Sequence, residues 1–121
     1  MDQPGKAIEY HEKSLVIARE VGYRPSEGNA LGNLGNRYAE LGQPEKAIEY
    51  YEQALVIDRE TGYRLGEARV AWNLGLRYEA LGDLPRAAEL MQIRVDYEVE
   101  IGHPDAEKDA AYLEALRGRM S

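Results

Sequence analysis

The sequence predicts an all-α protein built from stacked antiparallel helix hairpins, and three observations carry that prediction. The chain repeats itself forty positions on and without a gap: Gly35-Asn36-Arg37-Tyr38 returns as Gly75-Leu76-Arg77-Tyr78, and Arg19-Glu20-Val21-Gly22-Tyr23-Arg24 as Arg59-Glu60-Thr61-Gly62-Tyr63-Arg64. A fixed period in this range marks a stacked-repeat architecture, whose function lies on the faces that stacking creates. Apolar residues step by three and four, first through Leu31, Leu34, Tyr38 and Leu41, then through Ala47, Ile48, Tyr51, Ala54 and Leu55, which is helical spacing. Between the two runs, Gly42-Gln43-Pro44 stops one helix and offers a proline to the first turn of the next.

Six helices follow, at 4–21, 26–41, 44–61, 65–81, 84–101 and 104–118. The first carries Ala7, Ile8, Leu15, Val16 and Ile17, an apolar set suited to two neighbours although only helix 2 follows it. Gln3-Pro4 aligns with Gln43-Pro44, so the chain reads as opening inside a repeat. An unpaired apolar face is unfavourable by about 25 cal/mol per Å², and another copy, a rearranged helix or upstream chain is expected to cover it. Helix 2 holds Gly28, Gly32 and Gly35. Each disfavours the helix by up to ~1 kcal/mol against alanine, so this helix is expected to open most easily. Gly35 reads as a close-packing position, while Gly32 fits either packing or a shallow floor. Helix 3 repeats the pattern of helix 1, and helix 4 that of helix 2. Helix 5 starts at Asp83-Leu84-Pro85, with Asp83 as its N-cap. The last helix begins at His103-Pro104-Asp105 and mixes Ala110, Ala111, Leu113 and Leu116 with Glu107, Lys108, Asp109, Glu114 and Arg117, the composition of a cap.

Composition narrows the function classes. At 121 residues with 44% hydrophobic and 31% charged content, the chain suits a folded helical domain rather than a disordered one. Phenylalanine is absent and nine tyrosines carry nearly all the aromatic content. A formal net charge of −7 opposes non-specific attraction to nucleic acid or anionic lipid. No cysteine is present, which rules out disulfide and thiolate chemistry and is compatible with a cytoplasmic protein. No run approaches the ~18 apolar residues of a membrane span, and Met1-Asp2-Gln3-Pro4-Gly5 does not read as a secretory signal.

Leu34-Gly35-x-x-Tyr38, then Gly42, Ala47-x-x-x-Tyr51 and Ala54, resembles the tetratricopeptide repeat; the second copy reads Leu74-Gly75-x-x-Tyr78, Gly82 and Ala87-x-x-x-Met91. The resemblance covers essentially the whole chain. It implies a solenoid of about six helices in a right-handed superhelix, divided into an orphan second helix at 1–22, full repeats at 26–62 and 65–102, and a capping helix at 104–121. The proline that commonly ends the second helix is replaced by Arg59 or Val99, and the helix runs on to Gly62 or Gly102. This lengthens the repeat from about 34 residues to forty, as in Pins-type adaptors, kinesin light chains and bacterial signalling ATPases. The third copy lacks the Leu-Gly-x-x-Tyr motif.

The resemblance also implies a concave groove lined by the first helix of each repeat. Its positions map here to Asn29, Gly32, Asn33, Asn36 and Glu40, then Arg69, Trp72, Asn73, Leu76 and Glu79, and more loosely to Asp109 and Tyr112. Asparagine both donates and accepts, so Asn33 and Asn73 suit the backbone of an extended peptide, or else hold neighbouring helices in register. Arg37, Arg69 and Arg77 suit a ligand carboxylate, whereas the overall negative charge favours a basic partner. Trp72 and Leu76, four apart and outside the packing stripe, read as an exposed apolar anchor, with packing against a neighbouring helix as the alternative.

Catalysis finds little support. His11 and His103 stand alone without a metal-binding spacing. His11 replaces the large residue seen as Tyr51 and Met91 and reads as packing, whereas His103 reads as solvent-facing. No serine lies in G-x-S-x-G, and the glycines lack the strand and lysine of a phosphate loop. Glu45-Lys46 and Arg59-Glu60 read as solvated helix faces. The expected protein is a non-catalytic scaffold without cofactor or metal that binds a protein or peptide in its groove. The competing expectation is a self-association module, a homodimer through the N-terminal helix.

Overall fold

The computed structural model describes residues 3–120, with side chains from Gly5 onward; Met1, Asp2 and Ser121 lie outside the described residues, and with them the start of the stretch read for a leader. Six helices form: α1 (Gln3–Val21), α2 (Arg24–Glu40), α3 (Pro44–Thr61), α4 (Arg64–Ala80), α5 (Leu84–Ile101) and α6 (Ala106–Gly118). Among the described residues there is no strand. Each helix packs on the next, and α2 also touches α4 across α3. None is long and apolar enough to cross a membrane.

The hairpins close on one device used five times. Gly22, Gly42, Gly62, Gly82 and Gly102 recur at an even spacing, one per helix junction, and all take left-handed φ between +67° and +85°. The amide after each glycine reaches back to the last turn, as Tyr23 N–H to Ala18 O at 3.0 Å and His103 N–H to Glu98 O at 2.8 Å. This Schellman closure satisfies carbonyls that the helix end leaves unpaired. The next helix then starts within a few residues; Asp83 Oδ1 accepts from Arg86 N–H at 3.3 Å, the expected N-cap. The sixth helix starts at Ala106 rather than 104, because His103-Pro104-Asp105 forms a turn in which His103 Nδ1 accepts from the Asp105 amide at 3.0 Å. His103 therefore closes the helix start instead of simply facing solvent.

Leu31, Leu34, Leu74, Met91 and Leu116 are the largest fully buried side chains, each contributing of order 2 kcal/mol through burial. Ala47 and Ala87 are also fully enclosed. A Cβ at Gly35 would lie 2.5 Å from the Tyr51 ring, whereas at Gly32 the nearest neighbour would be Val70 Cγ2 at 3.7 Å. Gly35 is thus a close-packing position, and Gly32 leaves room above it.

The charged pairs are not merely solvated faces. Arg19 pairs with Glu27 at 3.1 Å and, one repeat later, Arg59 with Glu67 at 2.9 Å. Arg24 pairs with Glu60, and Arg64 donates to Glu100 at 3.0 Å. These bonds cross between helices and repeat with the sequence. On the outside of α1, Tyr10, Val16, Ile17 and Val21 remain exposed while Leu15 and Ala18 are buried against the stack.

Candidate functional site

The contact between α2 and α4 leaves a cleft of about 210 Å³ above α3, lined by Asn29, Asn33 and Asn36 from α2, Tyr51 and Asp58 from α3, Arg69 and Asn73 from α4, and Arg94 from α5. Its width follows from sequence: Gly28, Gly32 and Gly66 line it without side chains. Of the groove positions read from the sequence, Asn29, Gly32, Asn33, Asn36, Arg69 and Asn73 meet here.

A hydrogen-bond chain organises the floor. The Tyr51 hydroxyl donates to Asn36 Oδ1 at 2.5 Å, and the Asn73 amide donates to the same oxygen at 3.3 Å. Burial pushes the Tyr51 phenol up to about 12, opposed by the nearby charges of Arg77 and Arg37, so it stays a donor at neutral pH. Arg37 and Arg77 therefore flank this phenol beside the cleft rather than line it. Arg37 is engaged by Glu40 at 2.5 Å. Among the described residues Arg77 and Arg69 make no ion pair, and Arg77 Nε is buried without a hydrogen-bond partner.

Trp72 and Leu76 depart from the exposed anchor expected of them. Both are half-buried and packed on the core. Trp72 lies 5.5 Å from the Tyr112 ring of α6, with the Arg94 guanidinium 5.3 Å above its own ring. Helix α6 covers it. Tyr112 is fixed in turn by donating to Glu79 at 2.6 Å, which also holds Arg119 at 2.7 Å, so Glu79 anchors α6. Asp109 does not face the groove freely either: it is buried with Glu98, and Arg94 Nε reaches both carboxylates, at 3.4 Å and 3.3 Å. Burial, then the shared contact with Asp109, raises the Glu98 carboxyl.

Asp58 is the residue that sequence reading missed. It is 5% exposed at the base of the cleft, and Cβ atoms built on Gly28 and Gly66 would come within 2.9 Å and 2.8 Å of its two oxygens. Burial, assisted by Glu67, pushes its carboxyl up to about 6. His11 is half-buried edge-on to Tyr10 at 5.4 Å, and burial followed by Arg37 lowers its imidazole. Among the described residues no group of three His, Asp or Glu side chains is arranged to hold a metal ion.

Comparison with known proteins agrees with this fold. A family model described as tetratricopeptide repeat matches residues 1–60. The human G-protein-signaling modulator 1 is 45% identical over 42 residues, which is 35% of this chain and 6% of that protein. Among solved structures, a Pyrococcus horikoshii signal transduction ATPase with numerous domains, carrying a tetratricopeptide repeat sensor, superposes with a TM-score of 0.82 at 26% identity, over 96% of this chain and 18% of that one. The nearly identical TPR-like repeats of a putative kinesin light chain from Podosopora anserina give 0.79 at 23% identity, over 94% and 57%. The chain thus spans a small part of the human and Pyrococcus proteins it matches.

Proposed function

This chain belongs to the tetratricopeptide-repeat family, whose repeats mediate protein–protein interaction, and on that premise we propose that its concave cleft captures an extended, acidic segment of a partner protein. The observation that carries the reading is a cleft arginine without a carboxylate. The chain has 22 acidic against 15 basic residues, yet among the described residues Arg69, which lines the cleft, makes no ion pair. Asn29, Asn33 and Asn73 line the cleft with it and offer side-chain donors and acceptors to a peptide backbone. A ligand carboxylate would meet a fork of donors at close range, where local charge outweighs the distant net charge screened beyond ~8–10 Å. The reading includes no catalysis, like scaffolds typical of the family, and a cytoplasmic setting.

Selection from a displayed library of random peptides tests it. Enriched sequences should carry Asp or Glu, and Arg69→Glu and Asn73→Ala should each weaken them at least about tenfold. Peptides that bind both variants as well as the parent would end the groove reading.

The exposed Val16, Ile17 and Val21 favour a second reading, association of two copies through α1. Sedimentation over a range of concentrations decides it: a monomer throughout excludes it, and a dimer lost in Ile17→Lys supports it.

A further inference from the structure

The two repeats differ at one furrow outside the cleft. In the first, Tyr50 of α3 stacks on Tyr38 of α2, ring centroids 5.5 Å apart and planes 2° from parallel, with Lys46 Nζ 5.1 Å from the Tyr38 ring. Tyr50 is partly buried there, and the charges acting on its phenol come from Glu12, Glu49 and Arg19.

One repeat later, Tyr78 replaces Tyr38 and Arg86 replaces Lys46, with the guanidinium 5.0 Å from the Tyr78 ring. The stacking residue, however, is Leu90. An open cleft of about 370 Å³ lies at this place, and Glu52, Arg59, Tyr78 and Glu89, each one repeat beyond a neighbour of Tyr50, line it. Tyr78 does not swing out to fill it, because its hydroxyl donates to Glu52 Oε1 at 3.1 Å and accepts from Arg86 at 3.4 Å.

We propose that this furrow between α3 and α5 is a second binding site, which receives an aromatic side chain, tyrosine above all, from a partner protein. The first repeat shows the occupant that such a furrow takes: a phenol whose ring stacks on the tyrosine of the preceding helix, within the charged rim of Glu12, Glu49 and Arg19. The second keeps the same rim and supplies the wall through Leu55, Val56, Leu90 and Ile93. Val56 is 54% exposed, so the wall is open to an incoming ring. Its volume lies at the small end of ligand sites, the scale of one anchor residue rather than a long segment. Tyrosine also brings much apolar area with a polar tip and little side-chain freedom to lose, which is why it recurs as an interface anchor.

The test is a titration of the isotopically labelled chain with N-acetyl-tyrosinamide, followed by amide NMR shifts, with N-acetyl-leucinamide as the comparison. Saturable shifts should cluster at Val56, Leu90 and Ile93, and the tyrosine probe should bind at least about fivefold more tightly. Leu90→Tyr, which restores the residue of the first repeat, should abolish binding. Val56→Glu, on the exposed part of the wall, should weaken it at least about tenfold without touching the core. If Leu90→Tyr does not fold, Val56→Glu decides alone. Absence of saturation, equal affinity for the two probes, or binding retained in a folded variant would overturn the proposal.

Discussion

The Tyr51 hydroxyl and Asn36 Oδ1 are 2.5 Å apart, and that one oxygen also receives the Asn73 amide. Three helices, α3, α2 and α4, therefore converge on a single acceptor. The arrangement sets the angle of the two asparagines that bound the cleft, so stability and site geometry share the same bond.

Tyr51→Phe keeps the ring that packs against Gly35 and removes the donor. Loss of about 1 kcal/mol is expected, the net scale for one intramolecular hydrogen bond. Urea unfolding measures it. An unchanged midpoint would mean that Asn36 finds an equal partner in Asn73 or water.

Two glycines on one helix should respond in opposite directions. Gly32→Ala meets only an ordinary contact with Val70 and should stabilise by up to ~1 kcal/mol through helix propensity. Gly35→Ala drives a methyl into a ring that is 2% exposed, and overpacking of this kind costs about 1–3 kcal/mol. Thermal melts of the two variants suffice, and equal shifts would contradict the packing of Gly35 on Tyr51.

Asp58 gives the fold a pH dependence whose sign is set by burial. Burial pushes its folded carboxyl up from the ordinary 3.8 to about 6. The stability it contributes is therefore fully present below about 3.8 and lost as pH rises through about 6. The raised Glu98 carboxyl acts in the same direction. Asp58→Asn, isosteric and neutral, should be more stable than the parent at pH 7, by of order 2 kcal/mol, with the advantage shrinking towards pH 4. Urea unfolding at several pH values gives both slopes, and parallel slopes would exclude Asp58 as the source.

Much of this is legible in the sequence, and the exceptions have physical causes. A glycine at every helix junction and apolar steps of three and four specify the hairpins locally, so the six helices follow from short-range chemistry alone. Asp58 is legible in principle: it continues the buried stripe Tyr51, Ala54, Leu55 at the same helical spacing, where an acid is out of place. The adjoining Arg59-Glu60 points to a surface and masks it. Trp72 is not legible. Its cover comes from Arg94 and Tyr112, which stand on α5 and α6, and α6 has lost the motif that would align it. Leu90 in place of Tyr50 is likewise a single apolar exchange in the sequence, and becomes a cleft only when Tyr78 is seen to stay pinned.

Trp72 reports directly on the docking of α6. It is the sole tryptophan, half-buried between the Arg94 guanidinium and the Tyr112 ring, so its emission should lie short of that of a solvated indole. Tyr112→Ala removes the ring and its bond to Glu79, and should red-shift the emission and ease quenching by acrylamide. The cost in stability should be at least the ~0.5–1.5 kcal/mol of an aromatic pair, because the buried area of the phenol is lost as well. Tyr112→Phe separates the two contributions: it keeps the ring on Trp72, so emission should hold while the bond to Glu79 alone is lost. If emission in Tyr112→Ala matches the parent, α6 does not cover Trp72, and the indole returns to the concave face as an anchor for the partner.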